Sequence, residues 1–347
     1  MDKSRVYWVD FAKFMAILGV MTDHCRGILY TSDSVQYLSF YSVSVFIIMM
    51  GITTYWSYRN YDGNNINIDK VKLKLIRIFR PYLVATFIYC CLRLSFEFDT
   101  FINRLVHFNA SGPLYYVFLY IQLLIIAPVL IRIIPKNVCV WGGGLQELLF
   151  LVIIIFVSWI ATNYTNIMNI YGGGGKLLGG TYLILLYIGM LMGKYIPKVN
   201  MNKIYDFIFF VVIIMLTVLC AYFIAGDKLH FDRFFPFGEG KNPPGVSLMV
   251  YSIFITVAVY FIWRLILNYK LVSRVFSAVS KIGKHTLYIF LYHSLIRDLI
   301  IYSHVVIDNI WLKRLIFIGL MIIGSIILEL LFKCVYTFLL RCYWKSI

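Results

Sequence analysis

Long apolar segments dominate this sequence and constrain its fold more than any other feature. Hydrophobic residues make up 61% of the chain and charged residues only 14%, and the mean hydropathy is +0.82. These values lie far outside the range of a soluble domain. A helix of about twenty apolar residues crosses the roughly 30 Å hydrocarbon core of a bilayer. The sequence therefore predicts an all-α, polytopic membrane protein.

Apolar segments of membrane length recur along the whole chain. The candidate spans lie at residues 6–29, 35–57, 78–96, 112–134, 146–163, 178–196, 204–226, 246–268, 285–303 and 311–340. They leave no room for a soluble domain of ordinary size, so we expect residues 1–347 to form one integral membrane domain with about ten transmembrane helices. The first segment lacks a small-residue cleavage site, which predicts a retained helix rather than a signal peptide.

Basic residues give the chain a formal net charge of +16, and most of them fall in alternate loops. Short cytoplasmic loops of membrane proteins are enriched in Lys and Arg, so this distribution predicts that both termini are cytoplasmic. Because topology accounts for the charge, we expect no nucleic-acid partner. The seven cysteines form no CxxC pair and no His-Cys cluster at zinc spacing, so we expect no metal.

The first apolar segment carries four titratable residues, Asp10, Lys13, Asp23 and His24. In a helix, Lys13 and His24 share one face about 16 Å apart, and Asp10 lies one turn before Lys13. An ionisable group inside a membrane usually faces a partner, a cavity or a substrate. This stripe is therefore a candidate functional site, and the structural alternatives are an Asp10–Lys13 ion pair and a His24 that is hydrogen-bonded between helices.

Several motifs, in this order along the chain, resemble those of the membrane acyltransferase-3 superfamily. They are Lys13 and His24 with ten residues between them, Arg77–Pro81 (RIFRP), Gly112–Val117 (GPLYYV), Ile282–His293 (IGKHTLYIFLYH) and, more weakly, Val45–Ile52 (VFIIMMGI). Tyr115 stands where the family usually has tryptophan, and Met50 replaces a common serine. Order, spacing and topology agree over essentially the whole chain.

The resemblance implies a bacterial inner-membrane enzyme that takes an acyl group, usually acetyl, from cytoplasmic acyl-CoA. The group is placed on a hydroxyl of a cell-envelope sugar, polysaccharide or lipid-linked glycan. Some relatives carry a fused extracytoplasmic SGNH esterase-like domain, and we expect this chain to resemble the stand-alone members without one. The acceptor sugar, the acyl chain, a covalent acyl-enzyme and the oligomeric state stay open.

Within this expectation, His24 is the candidate catalytic base, because a neutral imidazole can take the proton of an acceptor hydroxyl. Arg77 and Arg80 lie one helical turn apart at the predicted cytoplasmic boundary. Two guanidinium groups at that spacing suit the phosphates of CoA, although positive-inside anchors of the helix end are the structural alternative. Lys13 could meet acyl-CoA deeper in the bundle.

The remaining candidates are predicted to bind substrate. Tyrosine rings can stack on sugars, and the predicted outward loop Phe237–Gly245 combines polar groups with two prolines, which suits sugar recognition or a plain rigid turn equally. His293 matches the histidine of the family's late helix. The candidate substrate-binding residues are Asp10, Asp23, Tyr115, Tyr116, Lys241 and His293.

A glycan or lipid flippase, or another transporter, is the main alternative function. In that case the Asp, Lys and His stripe would form the path of a substrate or a proton. We find no inverted repeat of the kind that marks many secondary transporters, which disfavours this alternative. An MBOAT-type acyltransferase, which also uses a buried histidine, is disfavoured by the Arg-x-x-Arg motif together with Lys13 and His24.

Overall fold

The computed structural model describes residues 6–58, 68–93, 96–135, 142–198, 203–226, 240–267, 269–303 and 307–345. Within these ranges, the side chains of Arg93, Gly142, Gly143, Lys198 and residues 338–345 are not described. Of the predicted outward loop, Phe237, Gly238 and Glu239 lie outside the described residues.

The described part of the chain is helical and contains no β-strand, apart from two isolated bridges. The helices are α1 Tyr7–Asp23, α2 Asp33–Ser39, α3 Tyr41–Tyr58, α4 Ile68–Arg93, α5 Phe98–Val106, α6 Tyr115–Ile133, α7 Gly142–Tyr164, α8 Tyr182–Tyr195, α9 Lys203–Ala225, α10 Val246–Ile266, α11 Lys270–Ser280, α12 Thr286–Tyr302 and α13 Ile310–Lys345.

Seven helical segments in the described residues are long and apolar enough to cross a membrane, which confirms the predicted polytopic helical bundle. They are Asp33–Tyr58, Ile68–Leu92, Gly112–Ile133, Gly144–Tyr164, Lys203–Ala225, Val246–Ile266 and Ile310–Thr337. The other three predicted spans are helices as well, but α1 and α12 have 17 residues and α8 has 14. These three shorter helices carry many buried residues.

Helix α3 lies at the centre of the bundle and is buried along most of its length. It packs most extensively against α8 and also contacts α1, α6 and α10. At the α3–α8 crossing, a Cβ added to Gly51 would lie 2.3 Å from the Leu186 carbonyl oxygen, and one added to Gly189 would lie 2.3 Å from that of Ile48. Small residues let membrane helices approach this closely.

Two ion pairs join neighbouring helices inside the bundle. Lys194 of α8 contacts Glu147 of α7 with a Nζ–Oε1 distance of 2.5 Å, and both side chains are buried. Arg264 of α10 contacts Asp206 of α9 at 2.8 Å. Charged groups in an apolar interior need such partners, so these pairs fix which faces of the helices meet.

Candidate active site

Two cavities follow one another along α1 and contain the titratable residues of its stripe. The first, which we call the Lys13 cavity, has a volume of about 260 Å³ and includes Asp10 and Lys13 in its wall. The second, the His24 cavity, has a volume of about 510 Å³ and includes Asp23 and His24. The helix rises about 16 Å from Lys13 to His24, so one element positions both cavities.

The Lys13 cavity is the more strongly basic of the two. Lys284, from the short helical turn Lys281–Lys284 before α12, joins Lys13 in its wall, together with Asp10 and the hydroxyls of Thr53 and Thr286. The wall thus contains two ammonium groups and one carboxylate, which gives it an excess of positive charge. A cavity with this excess of positive charge attracts an anionic ligand.

The Lys281–Lys284 turn and α1, which both contribute to the wall of this cavity, are in close backbone contact. Gly283 lies so near α1 that a Cβ on it would be 1.9 Å from the backbone carbonyl oxygen of Asp10. Glycine at this position therefore lets the Lys281–Lys284 turn touch α1 and brings Lys284 beside Lys13.

His24 is the residue that follows α1, and its side chain is half-buried in the wall of the His24 cavity. Its backbone N–H bonds to the Val20 carbonyl, while its own carbonyl oxygen accepts a hydrogen bond of 2.9 Å from the Arg297 guanidinium of α12. Arg297 in turn pairs with Asp298. The backbone of His24 is thus tied to α12, which limits the positions its ring can adopt.

Asp23 is held by two partners at the edge of the same cavity. Its Oδ1 accepts a hydrogen bond of 2.9 Å from Gln36 Nε2, and its Oδ2 lies 3.1 Å from Lys241 Nζ. The Lys241 ammonium also lies 4.2 Å from the centroid of the Phe40 ring. Two predicted acceptor residues, Asp23 and Lys241, therefore form an ion pair beside His24.

The segment that carries Lys241 is fixed against the glycine-rich turns that precede α8. Asn242 Oδ1 accepts hydrogen bonds from the Gly173 backbone N–H at 2.9 Å and from the Tyr182 hydroxyl at 3.2 Å. The Thr181 hydroxyl donates to the Pro244 carbonyl at 2.8 Å. Asn242 and Tyr182 both line the His24 cavity. Aromatic rings and amide groups around one cavity suit a sugar.

Phe290 is the ring that the linings of the two cavities share, and two further aromatic rings pack beside it on the side of the Lys13 cavity. Phe290 lines both cavities, while Tyr116 and Phe46 line the Lys13 cavity. The ring centroids of Tyr116 and Phe290 are 4.7 Å apart, and those of Phe46 and Tyr116 are 6.1 Å apart. We call these three rings the Phe290 constriction. The neighbouring Tyr115 lines the His24 cavity instead and contacts Tyr171 edge-on.

The predicted phosphate-binding arginines lie on the outer surface of α4, and both are exposed. Arg80 donates a hydrogen bond to the Tyr336 hydroxyl of α13, and its guanidinium lies 5.1 Å from the centroid of that ring. Ile78, between the two arginines in sequence, lines the Lys13 cavity. Neither arginine lies in the wall of that cavity; Arg80 instead lines a separate pocket with Phe79 and Ile121, and it connects α4 with α13.

His293 of α12 is completely buried and lies behind His24, with the centroids of the two imidazole rings 5.2 Å apart. The structure thus brings the two predicted site histidines together, although they are far apart in sequence. In the described part of the chain, no group of three His, Cys, Asp or Glu side chains could hold a metal ion.

Several residues of the two cavities were not singled out from the sequence. Lys284 and Phe290 lie within the matched motif Ile282–His293, so the motif was the available signal, but nothing local indicates which of its side chains face a cavity. Asn242 lies in the predicted outward loop Phe237–Gly245 but was not named individually, and Arg297, which contacts the His24 backbone without lining either cavity, carries no signal of its own. Their roles depend on contacts between distant parts of the chain.

Comparisons with curated proteins and with family models identify the family of this chain. No curated protein matches the chain. A family model described as an acyltransferase domain, that of the acyltransferase-3 family, matches residues 6–330, which include both cavities, the Phe290 constriction and the histidine pair. The chain therefore belongs to the acyltransferase-3 family of membrane acyltransferases.

Proposed function

We propose that this protein is an acyl-CoA-dependent O-acyltransferase of the bacterial inner membrane. It moves an acyl group, acetyl in the simplest case, from cytoplasmic acyl-CoA to a hydroxyl of an envelope glycan or a lipid-linked sugar. The observation that carries this proposal is the pair of cavities along α1, one basic and one containing His24, with Phe290 in the linings of both.

The basic cavity suits the donor. Lys13 and Lys284 line its wall, and Arg77 and Arg80 lie exposed on α4, the helix whose Ile78 also lines the cavity. CoA carries a pyrophosphate and a 3′-phosphate, which guanidinium and ammonium groups bind well. Its pantetheine arm is a narrow polar chain that would extend along α1 and bring the thioester through the Phe290 constriction toward His24.

The larger cavity suits the acceptor. Tyr115 and Tyr182 provide ring faces, while Asn242 and the Asp23–Lys241 ion pair provide hydrogen-bonding groups. A sugar needs both kinds of contact, because its C–H faces are apolar and its hydroxyls are polar. In this arrangement the acceptor hydroxyl would lie next to the His24 ring.

The chemistry then follows from general base catalysis. His24 takes the proton of the acceptor hydroxyl while the oxygen attacks the thioester carbonyl carbon. The tetrahedral intermediate collapses with cleavage of the carbon–sulfur bond. The proton passes from His24 to the departing thiolate, which leaves an O-acyl ester and free CoA. Such a base contributes about 10²- to 10⁴-fold to the rate.

The test is to incubate the purified protein in detergent with acetyl-CoA labelled in the acetyl group and with envelope glycan fractions. We expect the label to appear in the glycan as an alkali-labile ester, and one molecule of free thiol to form for each ester. If the protein neither binds CoA nor transfers acetyl, but moves a glycan or lipid across vesicles without acyl-CoA, the protein is a transporter and the proposal is wrong.

A further inference from the structure

His293 has one ring nitrogen whose protonation is fixed by its surroundings. Its Nδ1 lies 2.9 Å from the carbonyl oxygen of Phe290 and 3.1 Å from that of Ile289, one turn earlier in α12. Carbonyl oxygens only accept hydrogen bonds, so Nδ1 must carry the hydrogen. In the neutral ring, Nε2 is therefore an acceptor with a free lone pair.

That acceptor is unsatisfied within the described residues. His293 is 0% exposed, and its Nε2 has no hydrogen-bond partner there. A buried polar atom without a partner loses its hydration without compensation, so such atoms normally face a donor or mark a functional group. The orphaned lone pair is the observation that needs an explanation.

The ring beside it is that of His24. The two ring centroids are 5.2 Å apart and the planes are inclined by 42°. Facing ring nitrogens at this centroid distance come within about 3 Å of each other, the length of an N–H···N hydrogen bond. Turning the His24 ring about its Cβ–Cγ bond, a soft torsion, would direct one nitrogen at His293.

The other groups near His24 and His293 are not available as hydrogen-bond donors to His293 Nε2. The Arg297 guanidinium, one turn after His293 on the same helix, is engaged with the His24 carbonyl oxygen and with Asp298. The Phe290 ring, whose centroid is 6.0 Å from that of His293, closes another side. The Asp23 carboxylate is taken up by Gln36 and Lys241. Among the described neighbours, His24 is therefore the donor best placed for His293 Nε2.

We propose that His293 is a positioning residue for His24. In the reactive state, one ring N–H of His24 donates to His293 Nε2, and the other His24 nitrogen keeps its lone pair toward the cavity. Both imidazole rings are neutral in this arrangement, and each keeps its one N–H hydrogen. When His24 takes the hydroxyl proton, the resulting imidazolium keeps its bond to His293 until the proton leaves with the thiolate. This inference rests on the proposed function, since it assumes that His24 is a base.

Two amide variants of His293 distinguish a role in positioning the His24 ring from a role in packing alone. Asn at position 293 can keep the donor to the α12 carbonyls but has no group where Nε2 lies, whereas Gln can place its amide oxygen there. We expect His293→Asn to lower kcat about 10- to 100-fold, with an unchanged KM for acyl-CoA, and His293→Gln to recover most of the loss. Equal losses in both variants would overturn the proposal.

A spectroscopic measurement tests the hydrogen bond between His24 and His293 without an activity assay. In the full-length protein labelled with ¹⁵N in the histidine rings, we expect a single His24 tautomer and a coupling across an N–H···N bond to His293. A His293 Nε2 that carries its own hydrogen, or a His24 tautomer unchanged in His293→Asn, contradicts the proposal. If this pairing is observed while no acyl transfer occurs, the proposed function fails but the contact between the histidines does not.

Discussion

The contact between Gly283 and α1 offers a sharp test of how the Lys13 cavity is built. Gly283→Ala would place a Cβ 1.9 Å from the Asp10 carbonyl oxygen and 2.6 Å from its carbon, whereas ordinary contacts begin near 3.4 Å. The turn and α1 would therefore have to separate by about 1.5 Å, because both clashing atoms belong to the backbone.

This displacement should affect function more than folding. Overpacking of this kind costs typically about 1–3 kcal/mol of stability, while a 1 Å misplacement of reacting groups can cost about 10²-fold in rate. We expect Gly283→Ala to raise the KM for acyl-CoA and to lower kcat/KM about 100-fold. Transfer of labelled acetyl at varied acetyl-CoA, together with thermal unfolding in detergent, measures both effects.

Gly319→Ala is the matched control, since a Cβ at that position in α13 meets nothing within 4 Å. It should leave both the kinetics and the unfolding temperature close to those of the wild type. If Gly283→Ala behaves like this control, α1 does not depend on close contact with the turn, and the reasoning about the Lys13 cavity is refuted.

Three further predictions concern the Phe290 constriction, the proposed donor site and the helix packing. Phe290→Ala should widen the constriction and raise the butyryl-to-acetyl rate ratio about tenfold or more, and an unchanged ratio would show that the ring does not select the acyl chain. Arg77→Ala should weaken CoA binding in a filter assay. Arg80→Ala should weaken CoA binding and also lower thermal stability through the lost Tyr336 contact. If both variants bind CoA as tightly as the wild type, the two arginines only anchor the end of the helix and do not bind the donor. Glu147→Gln should cost about 3–5 kcal/mol, seen as a lower unfolding temperature, because a buried ammonium loses its counterion; a wild-type temperature would contradict this.

The helices could be predicted from the sequence because hydropathy and helical periodicity are local properties. Each predicted span is a helix in the structure, and placing Lys13 and His24 on one stripe of α1 required only the 100° step between residues. The three short helices could not be distinguished from full spans. The structure shows that α1, α8 and α12 are largely buried by neighbouring helices, and a hydropathy profile does not reveal such burial.

The contacts between helices could not be predicted in the same way. Arg80 bonds Tyr336 across 256 positions, and Lys194 pairs with Glu147 across 47. Such partners depend on which faces pack together, and the packing depends on close approaches such as that of Gly51 to α8. For the same reason, the sequence indicated His24 and His293 separately but not their proximity.

Acyl transfer from pre-bound acetyl-CoA, followed in a single turnover with wild type and His24→Ala, tests the central claim most directly. The dissociation constant for CoA, measured in parallel, reports whether the proposed donor cavity is intact. We expect an unchanged dissociation constant and a transfer rate lowered about 10²- to 10⁴-fold in His24→Ala. A variant that binds CoA normally and transfers acetyl within a few-fold of the wild-type rate would contradict the assignment of His24 as the base.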